Sequence, residues 1–185
     1  MDAELKAKAE EIRVELHQMG EAFQHGDDSV LLHWVIEGEL ACAHRPLRHH
    51  PNFGGSGKTL PPNARKNLFE WTARVFDAGI RSIICLMHPK EIRLYADLDL
   101  GSANLIEFYR DQGFYVEHIP WDDPAHRPSL DRATFQDELR CVREEALIAF
   151  AKLPKPVLIH CSAGIDRSAP VAVYIFYKRH NAGNR

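Results

Sequence analysis

One segment near the end of the chain combines residues that can bind and cleave a phosphate ester. It reads Val-Leu-Ile-His-Cys-Ser-Ala-Gly-Ile-Asp-Arg-Ser over 157–168, so an apolar run ends at a cysteine and an arginine follows. A loop between a strand and a helix can turn its backbone amides toward an anion, and the helix N-terminus adds partial positive charge. Arg167 adds a planar guanidinium that can hold two phosphoryl oxygens at once. The segment therefore predicts a site for a phosphoryl dianion.

Cys161 lies at the base of this predicted site and is expected to be the nucleophile. The amides, the helix terminus and the guanidinium all stabilise a thiolate, which is the reactive form. Gly164 removes a side chain where backbone and ligand approach closely. His160 is expected to orient the loop through its ring, and Ser168 to donate a hydrogen bond to the sulfur. The residues expected to surround the phosphate are Ser162, Ala163, Gly164, Ile165, Asp166 and Arg167.

Two residues of this segment, Cys161 and Asp166, also have simpler interpretations that do not involve catalysis. A free cysteine at a strand end is usually a buried structural thiol. Asp166 is expected to pair with a neighbouring cation and so to stiffen the loop. No metal or other cofactor is expected, because amides and an arginine can supply the charge stabilisation that a metal gives elsewhere.

The segment resembles the Cys-x5-Arg-Ser/Thr signature of the cysteine-dependent protein tyrosine phosphatase superfamily. The order of elements from about Trp34 to Tyr177 is also similar to the compact dual-specificity phosphatases of that superfamily. The resemblance implies their α/β fold and hydrolysis of phosphate monoesters through a phosphocysteine intermediate. It also implies a general acid, an aspartate on a loop that precedes the cysteine. Compact members read Pro-x-x-Asp there, which in Pro120-Trp-Asp-Asp points to Asp123, with Asp122 as the alternative.

The sequence leaves the substrate class open. The expected partner is a phosphorylated protein, at tyrosine or at serine and threonine, or a small phosphate ester. The alternatives are a phosphoinositide, an inositol phosphate, the 5′-triphosphate end of RNA, or a catalytically weak module that only binds phosphate. A local basic strip supports the RNA alternative, and its members are Arg45, Arg48, Lys58, Arg65 and Lys66. The net charge of −3 does not support it, so no nucleic acid is expected.

The elements that must position these residues follow from hydrophobic spacing. Leu5, Ala9, Ile12 and Leu16 predict an amphipathic helix over 2–24, which we expect to pack on the core. Apolar runs predict strands at 30–36, 39–43, 80–87, 114–119 and 156–160. Further helices are expected from Asn63 to Ala78, from Ser102 to Gly113, from Ser129 to Phe150 and after Arg167. This alternation predicts an α/β fold with a mainly parallel central sheet flanked by helices.

Length and composition limit the class of protein and the number of domains. The chain has 185 residues, of which 45% are hydrophobic and 26% charged, so a disordered or polybasic protein is excluded. We interpret 1–185 as a single catalytic domain, with 1–25 as a helical extension and a core at about 30–180. Only 24 residues follow Cys161, whereas the similar phosphatases usually continue with further helices that pack against the sheet. Either the C-terminus is truncated, or the N-terminal helix covers the sheet surface that those helices would occupy. No membrane span and a cytoplasmic location are expected.

Three other features have simpler interpretations. Gly-Gly-Ser-Gly-Lys-Thr at 54–59 is similar to a nucleotide-binding loop, but Asn52 stands where that pattern needs glycine, and two prolines follow. We interpret it as a flexible loop, or as one whose lysine helps to hold an anionic substrate. His44, His49 and His50 lie in an arginine-rich stretch that we expect to be a solvated basic loop. Cys85 is a core cysteine by default, with a redox partner of Cys161 as the alternative.

Overall fold

The protein is built around one central sheet. The computed structural model describes residues 2–182, with the side chains of 4–181; Met1 and 183–185 of the expected domain lie outside the described residues. The strands are β1 (His33–Ile36), β2 (Leu40–Ala43), β3 (Ser82–Cys85), β4 (Tyr115–His118) and β5 (Val157–His160). The helices are α1 (Asp2–Gln24), α2 (Arg65–Asp77), α3 (Pro89–Ile92), α4 (Leu105–Asp111), α5 (Arg132–Lys152) and α6 (Ser168–Ala182). Short 3-10 turns cover Pro62–Ala64, Arg93–Leu98 and Pro124–His126.

The sheet has the strand order β1-β2-β5-β3-β4 and is parallel except at one edge. There β1 and β2 form a hairpin through Gly38, whose φ of +68° suits the turn. The predicted α/β fold with a mainly parallel sheet is confirmed. Because the other connections are crossovers, β2, β5, β3 and β4 all end at the same edge.

Burial on both faces explains the apolar runs of the central strands. Every residue of β2, β3 and β5 is buried. Ile83 and Leu158 face a cluster that includes Leu68 of α2 and Phe108 of α4. Ile84 and Ile159 face the opposite cluster, to which α1, α5 and α6 contribute Ile12, Leu16, Leu139, Val142 and Ala172. The sheet therefore lies between two helical layers, as its sequence pattern predicts.

The predicted packing of α1 on the core is confirmed. Ile12 and Leu16 are fully buried in the same cluster as Cys161, and Met19 is buried there too. This stripe lies against β1, β2 and α6. No helix in the described part of the chain is long and apolar enough to cross a membrane.

Several helix starts differ from the sequence prediction. Asn104, rather than Ser102, caps α4, since its side chain accepts bonds from the amides of Ile106 and Glu107 at 2.8 and 3.2 Å. Ser102 instead donates to Asp111. The remaining differences are these: Asp131, rather than Ser129, caps α5; a 3-10 turn, rather than an Asn63 cap, precedes α2.

Some predicted burial and strand lengths are also wrong. The spacing in α2 places Phe76 on the buried side with Leu68, Trp71 and Val75, but Phe76 is 37% exposed. Its ring packs edge-to-face against the ring of Phe114, with the ring centroids 5.6 Å apart. The first strand begins at His33 rather than Val30, which is 56% exposed. The other strands are likewise shorter than their apolar runs, because those runs continue into buried loops at the strand ends.

Candidate active site

The candidate site lies where the parallel strands end together. Ala43, His160, Cys85 and His118 form one row across β2, β5, β3 and β4. The segments that follow these residues therefore meet at one edge of the sheet, where α/β proteins commonly bind ligands. They bring together the loop of 161–167, the acidic loop of 120–124 and the start of α3.

In the loop between β5 and α6, one backbone amide is directed at the sulfur of Cys161. The amide of Gly164 donates to Cys161 Sγ at 3.2 Å, and Cys161 is 2% exposed. Gly164 has a φ of +74°, and a Cβ there would lie 2.8 Å from the carbonyl oxygen of Ala43 and 3.0 Å from Leu16 Cδ1. The approach of β2 and α1 therefore requires glycine at this position. An amide directed at the sulfur stabilises a thiolate there.

Arg167 is fully buried and held from three sides. Its Nη1 and Nη2 donate to Glu91 Oε2 and Oε1 at 2.6 and 2.7 Å. Nη1 also donates to the carbonyls of Trp121 and Leu86, and Nη2 lies 3.3 Å from Asp123 Oδ2. Although burial alone would lower it, the pKa of Arg167 is raised, because the hydrogen bonds and charge of Glu91 outweigh burial. Its Nε is buried with no hydrogen-bond partner among the described residues, so one of its donors is not used within the described protein.

Glu91 is the site residue that the sequence analysis missed. It lies on α3, immediately after β3, and its other bond is to the backbone amide of His88 at 2.8 Å. The side chain of His88 in turn accepts from the amide of Lys90, which makes a capping box. Burial opposes ionisation of Glu91, but the hydrogen bonds and charge of Arg167 lower its pKa overall. Its position after a buried parallel strand was the available signal.

The two candidate acids have different surroundings. Asp123 is 8% exposed; its Oδ2 faces Arg167, and its Oδ1 accepts from the amide of Ala125 at 3.1 Å. Asp122 is directed outward and pairs with Lys90. That hydrogen bond lowers the pKa of Asp122, which disfavours the protonated form that an acid needs. Of the two aspartates, only Asp123 makes contact with Arg167, the residue that is predicted to bind the phosphate.

His160 is fixed below the loop by a buried network. Its Nδ1 lies 3.2 Å from the carbonyl oxygen of Cys161, and its Nε2 lies 3.2 Å from Tyr109 Oη. Because a carbonyl only accepts, Nδ1 carries the proton and Nε2 accepts from the tyrosine. Burial lowers the pKa of His160 to about 4, so the ring is neutral near pH 7. These contacts match the expected orienting role.

Some of the other predicted site residues make contacts that hold the loop, whereas Asp166 and Ser168 do not make the contacts expected of them. Two residues that follow β2 bind carbonyls of this loop: the amide of Arg45 donates to Ser162 O at 2.9 Å, and His44 Nδ1 lies 2.7 Å from Ala163 O. Ile165 packs on the α1 side of the core. Asp166 is exposed and, within the described residues, makes none of the ion pairs expected of it. The Ser168 hydroxyl is buried without a partner there, so the expected bond to sulfur is not formed.

The expected solvated basic loop after β2 is instead largely buried. His44 is 4% exposed and Arg45 1%, while Arg48 is half-buried. Arg45 donates to Tyr95 Oη at 3.1 Å and to the carbonyl oxygen of Gly55 at 2.8 Å. The stretch is buried because its backbone and ring bonds attach it to the 161–167 loop. Arg45 and Arg48 therefore do not belong to an exposed basic strip, and only Lys58, Arg65 and Lys66 are exposed.

The structure also bears on the two remaining sequence features. Residues 54–59 follow a long loop rather than a strand and lead into a 3-10 turn, which is not the setting of a nucleotide-binding loop. Cys85 packs in the core cluster on the opposite face of the sheet from Cys161, whereas Cys42 shares the cluster of Cys161.

The arrangement can hold a dianion and present a sulfur nucleophile to it. A partly free guanidinium and a backbone amide lie beside Cys161, and a carboxyl group lies next to that guanidinium. In the described part of the chain, no group of three or more His, Cys, Asp or Glu side chains could hold a metal ion. Comparison with protein-family models, curated proteins and solved structures found no significant match to the chain.

Proposed function

We propose that this chain is a cysteine-dependent phosphatase that hydrolyses phosphate monoesters through a phosphocysteine intermediate. The observation that carries the proposal is the loop itself: an amide at 3.2 Å from the Cys161 sulfur, with a buried arginine six residues later. The parallel sheet that ends in this loop supports the finer proposal of a fold similar to the dual-specificity phosphatases. The proposal assigns catalysis to Cys161, Arg167 and Asp123, with His160 in a positioning role.

In the first step, the Cys161 thiolate attacks phosphorus and the bond to the leaving oxygen breaks. Asp123 gives its proton to that oxygen, so the alcohol or phenol leaves neutral. Arg167 and the loop amides hold the three equatorial phosphoryl oxygens as charge spreads over them. The electron pair of the broken bond stays on the leaving oxygen, and the phosphoryl group is left on sulfur.

In the second step, water attacks the phosphorus of the phosphocysteine. Asp123, now a carboxylate, takes the proton from that water, and the sulfur–phosphorus bond breaks with its electron pair returning to sulfur. Inorganic phosphate leaves and Cys161 is again a thiolate. The contact of 3.3 Å between Asp123 and Arg167 keeps the carboxyl beside the phosphate in both steps.

The proposed substrate is a phosphorylated protein or a small phosphate ester. The RNA 5′-triphosphate alternative loses support, because Arg45 and Arg48 of its basic strip lie largely inside the protein. Phosphoinositides and inositol phosphates remain alternatives, to be separated by a substrate panel. A module that only binds phosphate has no use for a general acid. The contact between Asp123 and Arg167 places a carboxyl group where an acid is needed, and this favours an enzyme.

Hydrolysis of 4-nitrophenyl phosphate in the presence of EDTA tests the proposal. We expect turnover by the wild type, inhibition by vanadate, and loss of activity after alkylation of the thiol or in Cys161→Ser. Cys141→Ser is the matched control, because Cys141 is exposed on α5 and away from the loop. Strict dependence on an added divalent metal, or full activity of Cys161→Ser, would contradict the proposal.

A further inference from the structure

Beside the candidate active site, the structure contains a cavity that the proposed reaction does not use. Its volume is about 390 Å³, within the range of small-molecule sites. No residue of the 161–167 loop lines it. Its walls come from the end of α1, the stretch after β2 and one face of α2. The lining includes His44, Arg45, Arg48, His49, Trp71 and Ala73.

Two arginines in the wall of this cavity lack a counterion. Arg45 is 1% exposed and its partners are neutral, a tyrosine hydroxyl and a backbone carbonyl. The side chain of Arg48 makes no hydrogen bond or ion pair with any described residue, and its Nε, like that of Arg45, is buried without a partner. Burial, and then the nearby charge of Arg45, lower the pKa of Arg48. A fully buried cation such as Arg45 is costly unless an anion joins it.

The carboxylates of the same cavity do not serve as counterions. Asp28 pairs with Arg74 at 2.6 Å, and Glu70 pairs with Lys66 at 3.3 Å. Glu91, which lies near Arg48, has both of its oxygens on Arg167. None of these carboxylates therefore forms an ion pair with Arg45 or Arg48.

A histidine adds a further unused donor. Gln24 Nε2 lies 3.2 Å from His49 Nδ1, and because an amide nitrogen only donates, the proton of the neutral ring is on Nε2. Burial lowers the pKa of His49 to about 3, so the ring stays neutral. Its Nε2 is buried without a partner among the described residues and lies next to Gly20 of α1, where an added Cβ would be 3.1 Å away. The rest of the lining includes apolar side chains such as Phe23, Leu31 and Trp71.

The backbone holds these donors in place at some cost. Leu47, which lies between the two arginines, has a φ of +60°, a conformation that branched bulky residues rarely adopt. Such strain persists where the surroundings fix it, and it is concentrated at ligand sites. Here it places Arg45 and Arg48 in the wall of the same cavity.

We propose that this cavity is a second anion site, which binds a phosphoryl dianion carried on an apolar group. A dianion balances both arginines, and the apolar lining accepts the group to which it is joined. The bound anion would act on the neighbouring loop through the segment of His44 and Arg45, whose ring and amide hold the carbonyls of Ala163 and Ser162. The site is thus distinct from the reaction centre but adjacent to it.

Titration with phenylphosphonate, followed by NMR of the arginine Nε–Hε groups and the backbone amides, tests this proposal. We expect saturable shifts of the Arg45 and Arg48 signals. We expect Arg48→Gln to weaken the apparent Kd of that site by roughly 10-fold to 100-fold. Ala73→Phe fills the mouth from an exposed helix position and should abolish the Arg45 shift, while Ala73→Ser should keep it. Benzoate, a monoanion, should bind more weakly.

The same titration separates this proposal from the proposed function. Shifts of the 162–166 amides that persist in Ala73→Phe report the catalytic loop. If only those amides move, the second site is refuted and the phosphatase proposal stands. If the arginine signals move in a protein without phosphatase activity, the second site stands alone. Equal affinity for benzoate would overturn the dianion as its ligand.

Discussion

Glu91 and Arg167 form a two-point ion pair across 76 residues of sequence, with contacts of 2.6 and 2.7 Å. The pair fixes the orientation of the guanidinium at the end of the 161–167 loop. It leaves the buried Nε without a partner among the described residues. In the proposed enzyme, Glu91 does not touch the phosphate, and so acts as a positioning residue for Arg167.

Glu91→Gln keeps the size of the side chain but removes its charge. We expect kcat/KM for 4-nitrophenyl phosphate to fall about 100-fold, because Arg167 loses its fixed orientation. The free energy of unfolding in urea should fall by about 3 kcal/mol, since a buried guanidinium loses its main counterion. Glu107→Gln is the matched control; its exposed pair with Arg110 should contribute less than about 1 kcal/mol. Wild-type kinetics in Glu91→Gln would show that Arg167 needs no such anchor.

Asp123→Asn and Asp122→Asn compare the two candidate acids directly. With phenyl phosphate, whose leaving group needs a proton, Asp123→Asn should lower kcat by about 10²-fold to 10⁴-fold. The loss should be much smaller with 4-nitrophenyl phosphate. Asp122→Asn should stay within a few-fold of the wild type, because its carboxylate faces Lys90 rather than Arg167. Equal, small losses in both variants would rule out Asp123 as the acid.

Gly164→Ala tests how closely the sulfur loop is packed against β2. The added Cβ would lie 2.8 Å from the Ala43 carbonyl oxygen at a φ of +74°. We expect a loss of roughly 2–4 kcal/mol in the free energy of unfolding, from overpacking and left-handed strain together. Gly57→Ala is the control, since Gly57 has a φ of +63° but open space around it, and should lose only about 1 kcal/mol. A similar loss in both would mean that strain alone sets the cost.

His160 makes stability depend on pH. Burial lowers its pKa to about 4 in the folded chain, against 6.5 when unfolded, so below pH 6.5 the unfolded chain binds the extra proton. The contribution of His160 to the free energy of unfolding is complete above pH 6.5 and is lost as the pH falls toward 4. The loss between pH 7 and pH 5 is about 2 kcal/mol. His160→Gln should reduce the slope of unfolding free energy against pH in that window. The exposed His17→Gln should not, and equal slopes in all three proteins would refute the assignment.

Elements with strong periodicity were predictable, because local spacing alone determines them. The strand type of Val157–His160 and the helix that carries Leu16 follow from apolar runs and a 3.6-residue stripe. The start of α4 was not predictable, because Ser102 and Asn104 are both good caps and tertiary packing decides between them.

The candidate site was predictable only where its residues are adjacent in sequence. Cys161 and Arg167 share one loop, so a short motif contains both. Glu91 joins them only through the parallel order of β3 and β5, which no local pattern encodes. The burial of Arg45 was missed for the same reason, since its backbone bond to Ser162 spans most of the chain.

Trapping of the phosphorylated intermediate tests the central claim most directly. The chain is mixed with excess 4-nitrophenyl phosphate, quenched in acid within the first turnovers, digested and analysed by mass spectrometry. We expect one phosphoryl group on the peptide that contains Cys161 in the wild type, more of it in Asp123→Asn, and none in Cys161→Ser. Turnover without phosphate on that peptide, or phosphate on another residue in Cys161→Ser with activity retained, would contradict the proposed mechanism.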